Sequence, residues 1–286
     1  MRQKLPEWIK RGIIDTETTR TVRKILRENK LNTVCESARC PNKGECYSKN
    51  TATFMILGNT CTRNCRFCSI NSGSPEPVNQ DEPESIAQAV KQLGLNYVVI
   101  TSVTRDDLED GGATHFADTI KAIKNIDPKI KVEVLTPDFL GNLDLINIVI
   151  EAKPDVFNHN IETVKNLYAT VRPQAEYMRS LEIIGYIKSK SPDIYTKSGL
   201  MVGLGETFKQ ISELFQDLKE HNCDIVTVGQ YIQPTRNHLE VQNYLTPEEF
   251  EQIKQLALDA GIKYPICAPL VRSSYKAREI ICNGEI

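Results

Sequence analysis

Six short runs of β-branched and aliphatic residues alternate along the chain with amphipathic stretches of helical length. Continuous apolar runs are typical of strands buried on both faces, and three- and four-residue apolar spacing is typical of helices that cover a sheet. The predicted strands are residues 53–57, 97–101, 130–135, 155–157, 197–202 and 225–228. The predicted helices after them are residues 83–93, 115–126, 143–152, 177–189, 208–221 and 246–260.

This alternation predicts an α/β fold in which parallel strands are joined by right-handed crossovers. Six strand–helix units are fewer than the eight of a closed barrel, so a partial (β/α)6 barrel is favoured over a flat doubly wound sheet. We expect a barrel core at residues 51–245. An N-terminal extension (1–50) and a C-terminal extension (246–286) should pack on that core and cover its mouth. The first extension contains a predicted helix with Thr18 or Thr19 as its cap.

The composition excludes several classes of protein. Hydrophobic residues make up 40% and charged residues 25%, as in globular domains. Thirty-five basic and 37 acidic residues give a net charge of −2, which argues against nucleic acid or an anionic membrane as partner. No apolar run approaches the roughly 18 residues of a membrane span, and no secretory signal is visible. The expectation is a cytoplasmic protein.

The cysteines are strongly clustered, because six of the nine lie between residues 35 and 68. A disulfide framework suits short secreted chains, whereas this chain is long and has no visible export signal. In a reducing compartment, metal or iron–sulfur ligation is the better explanation.

Cys61, Cys65 and Cys68 follow the first predicted strand directly, at the end of the sheet where active sites form. Three thiolates on one loop can hold a four-iron cluster and leave one iron open for another ligand. The alternative is a structural zinc site, but such sites normally pair C-x₂₋₄-C units with a fourth ligand nearby, and no histidine is close in sequence.

This spacing, with Phe67 immediately before the third cysteine, resembles the signature of the radical S-adenosylmethionine (SAM) superfamily. The resemblance implies a partial (β/α)6 barrel, which agrees with the strand count. It also implies that SAM chelates the open iron of the cluster held by Cys61, Cys65 and Cys68.

A second set of thiols, Cys35, Cys40 and Cys46, occurs in the run C-E-S-A-R-C-P-N-K-G-E-C. A zinc loop or incidental thiols are the alternatives here. The run resembles the auxiliary-cluster motif of the lipoyl synthase family. The likeness continues through residues 52–58, 101–112, 158–163, 171–173, 197–206 and 272–275, and so spans about residues 31–276.

The lipoyl synthase resemblance implies an enzyme with two 4Fe-4S clusters and SAM. A radical made from SAM would activate C6 and then C8 of a protein-bound octanoyl-lysine, and the auxiliary cluster would be consumed as the sulfur donor. The implied partners are octanoylated lipoyl domains (2-oxoacid dehydrogenase E2 subunits and the glycine cleavage H protein), an electron donor such as flavodoxin or ferredoxin, and an iron–sulfur carrier. The competing hypotheses are another sulfur-inserting radical SAM enzyme and a zinc-binding scaffold protein.

The resemblance also suggests which residues contact SAM. Asn160 and Glu162 suit the ribose hydroxyls, and the guanidinium fork of Arg172 suits a carboxylate. Thr101 and Ser102 are expected to line the amino-group pocket. The alternatives are that Glu162 caps a helix and that Arg172 forms a surface ion pair.

Ser274, in the run Arg272-Ser-Ser-Tyr275, matches the family segment whose serine oxygen completes the auxiliary site. Its alternatives are a polar surface run or a helix cap, and Ser273 is the next candidate ligand. The isolated Cys223, Cys267 and Cys282 are interpreted as small buried or functionally neutral residues.

Overall fold

The strands form an eight-stranded sheet in the computed structural model, which describes residues 4–10, 12, 14–49, 51–275 and 277. In chain order the strands are β1 (Asn32–Thr33), β2 (Thr53–Ile56), β3 (Thr60–Cys61), β4 (Asn71–Ser72), β5 (Tyr97–Ser102), β6 (Lys131–Leu135), β7 (Val156–Asn158), β8 (Tyr195–Val202), β9 (Ile225–Gln230) and β10 (Tyr264–Cys267). The sheet order is β1-β2-β5-β6-β7-β8-β9-β10, while β3 and β4 form a separate pair. All pairings in the sheet are parallel except β1 with β2.

Helices connect successive parallel strands and cover the outer face of the sheet. They are α1 (Glu17–Glu28), α2 (Val34–Ser37), α3 (Lys43–Ser48), α4 (Glu82–Leu93), α5 (Ala113–Ile126), α6 (Leu143–Glu151), α7 (Tyr168–Val171), α8 (Tyr177–Lys190), α9 (Phe208–Glu220) and α10 (Pro247–Asp259). All six predicted strands and the six predicted helices between and after them are therefore confirmed, and with them the predicted α/β fold of parallel strands.

The structure departs from the prediction at three places. Strand β10 adds a parallel strand beyond β9, and β1 adds an antiparallel one beside β2. The cap of α1 is Thr16 rather than Thr18 or Thr19, because the Thr16 hydroxyl accepts the Thr19 backbone N–H and the Thr19 hydroxyl accepts the Thr16 N–H in return. This reciprocal pair is a capping box, with Thr19 at its third helical position.

Two apolar cores lie between the sheet and its helices. The first contains Phe54, Ile100 and Phe116 and joins the early strands to the helices packed on them. The second contains Val202, Phe215 and Phe250 and does the same for the later strands. Alternate residues of each strand face the opposite way, so the inner face of the curved sheet is free to carry polar groups.

The inner face holds a buried ion pair. The Lys197 ammonium lies 2.8 Å from a Glu133 carboxylate oxygen, and both side chains are 1% exposed. The Tyr97 hydroxyl donates to the other Glu133 oxygen at 2.5 Å. Burying two charges is expensive unless each keeps its partner, so this pair should be sensitive to the loss of either member.

We expect Lys197→Met to lower the free energy of unfolding by about 3–5 kcal/mol, because Glu133 would remain buried without its counter-ion. Urea denaturation measures this change. Lys209→Met is the control, since Lys209 pairs with Glu213 at 3.8 Å on the surface, where an ion pair contributes about 0–1 kcal/mol. Equal destabilisation by the two substitutions would contradict the interpretation.

The chain beyond β10 turns back onto the inner face of the sheet. A Cβ atom on Gly229 would lie 2.0 Å from the Val271 carbonyl oxygen, so only glycine permits this close approach. Further along, Ala277 packs against Tyr97 and Val99. Within the described ranges, no helix is long and apolar enough to cross a membrane.

Candidate functional site

The loop that contains Cys61, Cys65 and Cys68 is held at the carboxyl end of the sheet by backbone contacts. Beyond β2, the Cys61 sulfur accepts the Thr104 backbone N–H at 3.2 Å, and the Thr62 N–H donates to the Thr104 carbonyl at 3.0 Å. Thr104 follows the end of β5. This pairing places Cys61 beside the exit of the neighbouring strand, as its position after the first predicted strand implied.

The three thiols of this loop lie close enough together for their charges to interact. Burial raises the pKa of Cys68 to about 12, and the neighbouring Cys65 and Cys61 contribute to the rise. Burial is also the main reason that the pKa of Cys65 is raised. The nearby Arg172 guanidinium opposes that rise, which places Arg172 next to the same thiols.

An arginine inside the cysteine loop fixes its orientation. The Arg63 guanidinium forms a two-point ion pair with Asp106, at 2.7 and 2.9 Å, and a third bond to Asp138 at 2.6 Å. Arg63 is 4% exposed and Asp138 is fully buried. Hydrogen bonds and charge from Arg63 hold the pKa of the Asp138 carboxyl well below its usual range, despite its burial. The sequence did not predict these ion pairs of Arg63 with Asp106 and Asp138.

Asn160 and Glu162 lie together beyond β7, as predicted. The Asn160 amide donates to Glu162 Oε1 at 2.9 Å. Glu162 has a left-handed backbone with φ +66°, which is uncommon for a residue with a Cβ. Hydrogen bonds to the backbone of Gly199 and Met201 hold it in this conformation.

Gly199 provides the space that Asn160 occupies. A Cβ at this position would lie 2.8 Å from Asn160 Oδ1 and 2.8 Å from Thr227 Oγ1. Burial raises the pKa of Glu162, while the charge of Arg172 opposes the rise. Asn160 and Glu162 therefore form a compact polar pair next to the cysteine loop.

Arg172 is a buried residue of this site and not part of a surface ion pair. It is 8% exposed, and its Nη1 donates to the Asn160 carbonyl at 2.9 Å and to the Tyr168 hydroxyl at 2.7 Å. The backbone of the preceding residue, Val171, accepts the Arg66 N–H of the cysteine loop at 3.0 Å. Arg172 therefore lies beside both the cysteine loop and Asn160.

Three of the five residues predicted to contact SAM have a buried polar atom without a hydrogen-bond partner among the described residues. These atoms are Ser102 Oγ, Asn160 Oδ1 and Arg172 Nε. A buried polar atom without a partner costs free energy, and such atoms at a site commonly mark the place of a ligand. Thr101 differs, because its hydroxyl already donates to the Leu135 carbonyl at 3.1 Å.

The second set of cysteines lies on two short helices that precede β2. Cys35 is in α2, Cys46 is in α3, and Cys40 is in the turn between them. Burial raises the pKa of Cys46 to about 12, and the adjacent Cys35 and Cys40 add to the rise. The three thiols are therefore neighbours in space.

The C-terminal segment covers this second set. Asn42 donates to the Leu270 carbonyl at 2.7 Å, and the Tyr275 hydroxyl lies 3.1 Å from both carboxylate oxygens of Glu45. Arg272 lies close enough to Cys40 for their charges to interact. The half-buried Ser274 lies between these contacts in sequence, and its hydroxyl forms no hydrogen bond with another described residue.

The two cysteine sets are joined directly. The Ser69 hydroxyl, next to Cys68, donates to the Ser37 carbonyl at 3.2 Å. Ser37 lies between Cys35 and Cys40 in the chain. Both cysteine sets and the polar pair Asn160–Glu162 therefore lie together at the carboxyl end of the sheet.

His238 also contacts the cysteine loop, which the sequence did not predict. Its Nε2 lies 2.8 Å from the Cys68 carbonyl oxygen, and its Nδ1 pairs with the Thr235 hydroxyl. The contact is to the backbone and not to a thiol. Of the isolated cysteines, Cys223 and Cys267 are buried as predicted, and Cys282 lies outside the described residues.

The donor sets fit iron–sulfur clusters. All eight cysteines in the described part of the chain are free thiols, and six of them form the two sets above. In the same part of the chain, no three His, Cys, Asp or Glu side chains are arranged to hold a single metal ion. Soft thiolates in groups of three are the donors that an iron–sulfur cluster with one open iron requires.

Comparison with known proteins identifies the fold family and close relatives. Residues 55–218 match the Radical SAM superfamily model. The lipoyl synthase of Caldanaerobacter subterraneus subsp. tengcongensis is 52% identical over 277 residues, covering 97% of each chain. The lipoyl synthase of Rubrobacter xylanophilus is 53% identical over 274 residues, covering 96% of this chain and 85% of the relative.

Solved structures agree on the fold. Methylornithine synthase (PylB) superposes with a TM-score of 0.57 at 13% identity, covering 89% of this chain and 76% of its own. Streptococcus suis SuiB bound to S-adenosylmethionine superposes with a TM-score of 0.55 at 15% identity, covering 76% of this chain and 51% of its own. At these identities the likeness concerns the fold alone.

Proposed function

The chain belongs to the lipoyl synthase family of the radical SAM superfamily, and from that premise we propose that Cys61, Cys65 and Cys68 hold the cluster to which SAM binds. The family uses SAM and 4Fe-4S chemistry to insert sulfur, so the protein is an enzyme and not a zinc-binding scaffold. The electrostatic coupling of the three thiols at the carboxyl end of the sheet supports this assignment. When bound, the cluster and SAM supply the one-electron chemistry, and the protein binds, orients and excludes water.

The same proposal assigns the SAM contacts to Thr101, Ser102, Asn160, Glu162 and Arg172. The observation that carries it is the set of buried polar atoms without partners on Ser102, Asn160 and Arg172. Arg172 Nη1 is fully used by Asn160 and Tyr168, so Nε is left to donate toward a ligand. Together with Nη2, this edge forms a fork that suits a carboxylate.

Cys35, Cys40 and Cys46 are proposed to hold a second 4Fe-4S cluster, which serves as the sacrificial sulfur donor. The close approach of three thiols supports this role, as does the C-terminal segment that covers them. Residues 1–50 and 246–286 would then be the extensions that enclose the mouth of a barrel core at residues 51–245. Enclosure excludes water from the reaction.

Ser274 is proposed as the fourth ligand of the second cluster. It lies on the covering segment, between Arg272, which approaches Cys40, and Tyr275, which bonds Glu45. Its hydroxyl is not committed to another described residue. An oxygen ligand is a poorer match than thiolate for a soft site, so its iron would be the one released most readily when sulfide is removed.

We expect Ser274→Ala to lower lipoyl formation by about tenfold or more, in line with the cost of losing groups that support a metal site. Reductive cleavage of SAM should continue near the wild-type rate. Ser273→Ala is the matched control, and it should retain lipoyl formation. Product assays and the iron content after anaerobic purification measure both effects. Full lipoyl formation by Ser274→Ala would exclude it as the ligand.

The proposed substrate is octanoyl-lysine on lipoyl domains, namely 2-oxoacid dehydrogenase E2 subunits and the glycine cleavage H protein, with sulfur inserted at C6 and then C8. Flavodoxin or ferredoxin is proposed as the electron donor, and an iron–sulfur carrier as the source of clusters. Family membership supports these partners. A cytoplasmic location is proposed because thiols that hold iron–sulfur clusters are expected in a reducing compartment.

Iron and acid-labile sulfide analysis of anaerobically purified protein tests the two-cluster proposal. About eight irons per chain are expected, since each four-iron cluster contributes four. Joint replacement of Cys35, Cys40 and Cys46 by alanine should leave about four irons, and so should the corresponding replacement of Cys61, Cys65 and Cys68. About four irons in the unaltered protein, or zinc without sulfide, would contradict the proposal.

A further inference from the structure

Arg172 is anchored through its Nη1 atom. Both hydrogens of Nη1 are engaged, one with the Asn160 carbonyl at 2.9 Å and one with the Tyr168 hydroxyl at 2.7 Å. The Nε atom is buried and has no partner among the described residues. An arginine anchored in this way presents its Nε edge in a fixed direction, because the planar guanidinium cannot turn without breaking both anchors.

The Tyr168 hydroxyl begins a buried chain of hydrogen bonds that leads away from the site. It lies 2.7 Å from Ser180 Oγ in α8, which in turn lies 3.1 Å from His159 Nε2. His159 Nδ1 then lies 3.0 Å from the carbonyl oxygen of Thr136, just beyond β6. All four residues are at most 4% exposed, so water does not compete for these bonds.

The direction of every bond in the chain follows from its two ends. The Thr136 carbonyl can only accept, so His159 Nδ1 donates and Nε2 accepts in the neutral ring. Ser180 therefore donates to His159 and accepts from the Tyr168 hydroxyl. Tyr168 has then used its proton, and its oxygen is free to accept from the Arg172 cation.

Two further observations agree with this direction. Burial, with a smaller effect of the Arg172 charge, lowers the pKa of His159 to about 4, so the ring is neutral at physiological pH. Ser180 Oγ also lies 3.1 Å from the Glu176 carbonyl, which accepts the Ser180 backbone N–H and has a second lone pair for the hydroxyl. If the Ser180 hydroxyl donated to that carbonyl instead, the accepting His159 Nε2 would have no donor, so donation to His159 is the arrangement that satisfies both nitrogens of the ring.

We propose that Tyr168, Ser180 and His159 are positioning residues for SAM binding: they connect Arg172 to the rigid exit of β6 and fix its Nε edge toward the SAM carboxylate. This inference rests on the proposed role of Arg172. Arg172 itself follows a helix of one turn, α7, which gives it little support. The chain of hydrogen bonds through Tyr168, Ser180 and His159 supplies that support from the sheet. A guanidinium that is already held in place binds a carboxylate without first losing conformational freedom.

Tyr168→Phe tests the inference because it removes one hydroxyl and keeps the ring that packs against Arg172. We expect SAM to bind about tenfold more weakly, because the hydroxyl that accepts from the Arg172 cation is lost and the guanidinium is no longer held in place. The readout is the equilibrium dissociation constant of SAM for the cluster-loaded protein. Ser180→Ala, one step further along the chain, should change it in the same direction.

Tyr177→Phe is the matched control. The Tyr177 ring packs edge-on against Tyr168, with centroids 5.4 Å apart, but its hydroxyl donates to Asp217 and not to the chain. It should leave SAM affinity unchanged. A second ligand, 5′-methylthioadenosine, lacks the carboxylate and should bind equally to unaltered protein and to Tyr168→Phe.

The outcomes separate this inference from the assignment on which it rests. If Arg172→Ala leaves SAM affinity unchanged, the role of Arg172 itself is wrong. If Arg172→Ala weakens SAM binding but Tyr168→Phe and Ser180→Ala do not, the positioning chain is refuted and Arg172 keeps its role. Equal weakening of SAM and 5′-methylthioadenosine by Tyr168→Phe would indicate general loosening of the site and would also refute the inference.

Discussion

Replacement of Cys68 by alanine is expected to abolish reductive cleavage of SAM. Cys68 is buried beside Cys65 and Cys61, and the proposed cluster at this position has only these three protein ligands. Alanine offers no donor, and the neighbouring His238 contacts only the Cys68 backbone, so it cannot replace the lost thiolate. Formation of 5′-deoxyadenosine with dithionite as the reductant measures the effect.

Cys223→Ala is the control for that substitution. Cys223 is also buried, but its sulfur lies near the Ile225 carbonyl in the second apolar core and far in sequence from either set. It should retain SAM cleavage near the wild-type rate. Cleavage at that rate by Cys68→Ala would show that the cluster is held elsewhere.

Replacement of Cys40 by alanine is expected to abolish lipoyl formation while leaving reductive cleavage of SAM intact. Cys40 belongs to the second set, beside Arg272 and beneath the C-terminal segment. The variant should still cleave SAM, because the loop of Cys61, Cys65 and Cys68 is intact. It should form no lipoyl product, because the cluster that we propose as the sulfur source has lost one of its thiolate ligands.

Cys267→Ala serves as the control in this case, since Cys267 is buried at the end of β10 and belongs to neither set. It should form lipoyl product normally. Full lipoyl formation by Cys40→Ala would rule out the second cluster as the donor. Loss of SAM cleavage in the same variant would show that the two sets are not independent.

The main strands were predictable because their signal is local. Runs such as Val98–Ile100 are apolar on both faces, and this pattern needs no knowledge of the partners of a strand. Strand β10 gave no such signal, since it is half exposed and contains Pro265. Proline lacks an N–H but is tolerated on an edge strand, and β10 pairs with β9 alone in the described sheet.

Candidate site residues could be predicted only where they lie close together in the sequence or belong to a family motif. The six clustered cysteines are visible in this way, and family resemblance added Ser102, Asn160 and Arg172. Arg63 was missed because its partners Asp106 and Asp138 lie 43 and 75 residues away. The contact of His238 with Cys68 spans 170 residues and has no local signature at all. Such contacts exist only after the strands have assembled.

The ties from Asn42 to Leu270 and from Glu45 to Tyr275 join segments 228 and 230 residues apart. During synthesis, Cys35, Cys40 and Cys46 emerge from the ribosome before β2 and the strands that follow it, and the segment that covers them emerges after all of these strands. A chain released early therefore carries every clustered cysteine but leaves these three open to oxidants. The covering contacts can form only after synthesis has passed Tyr275, so we expect nascent and truncated molecules to be the most sensitive to oxygen.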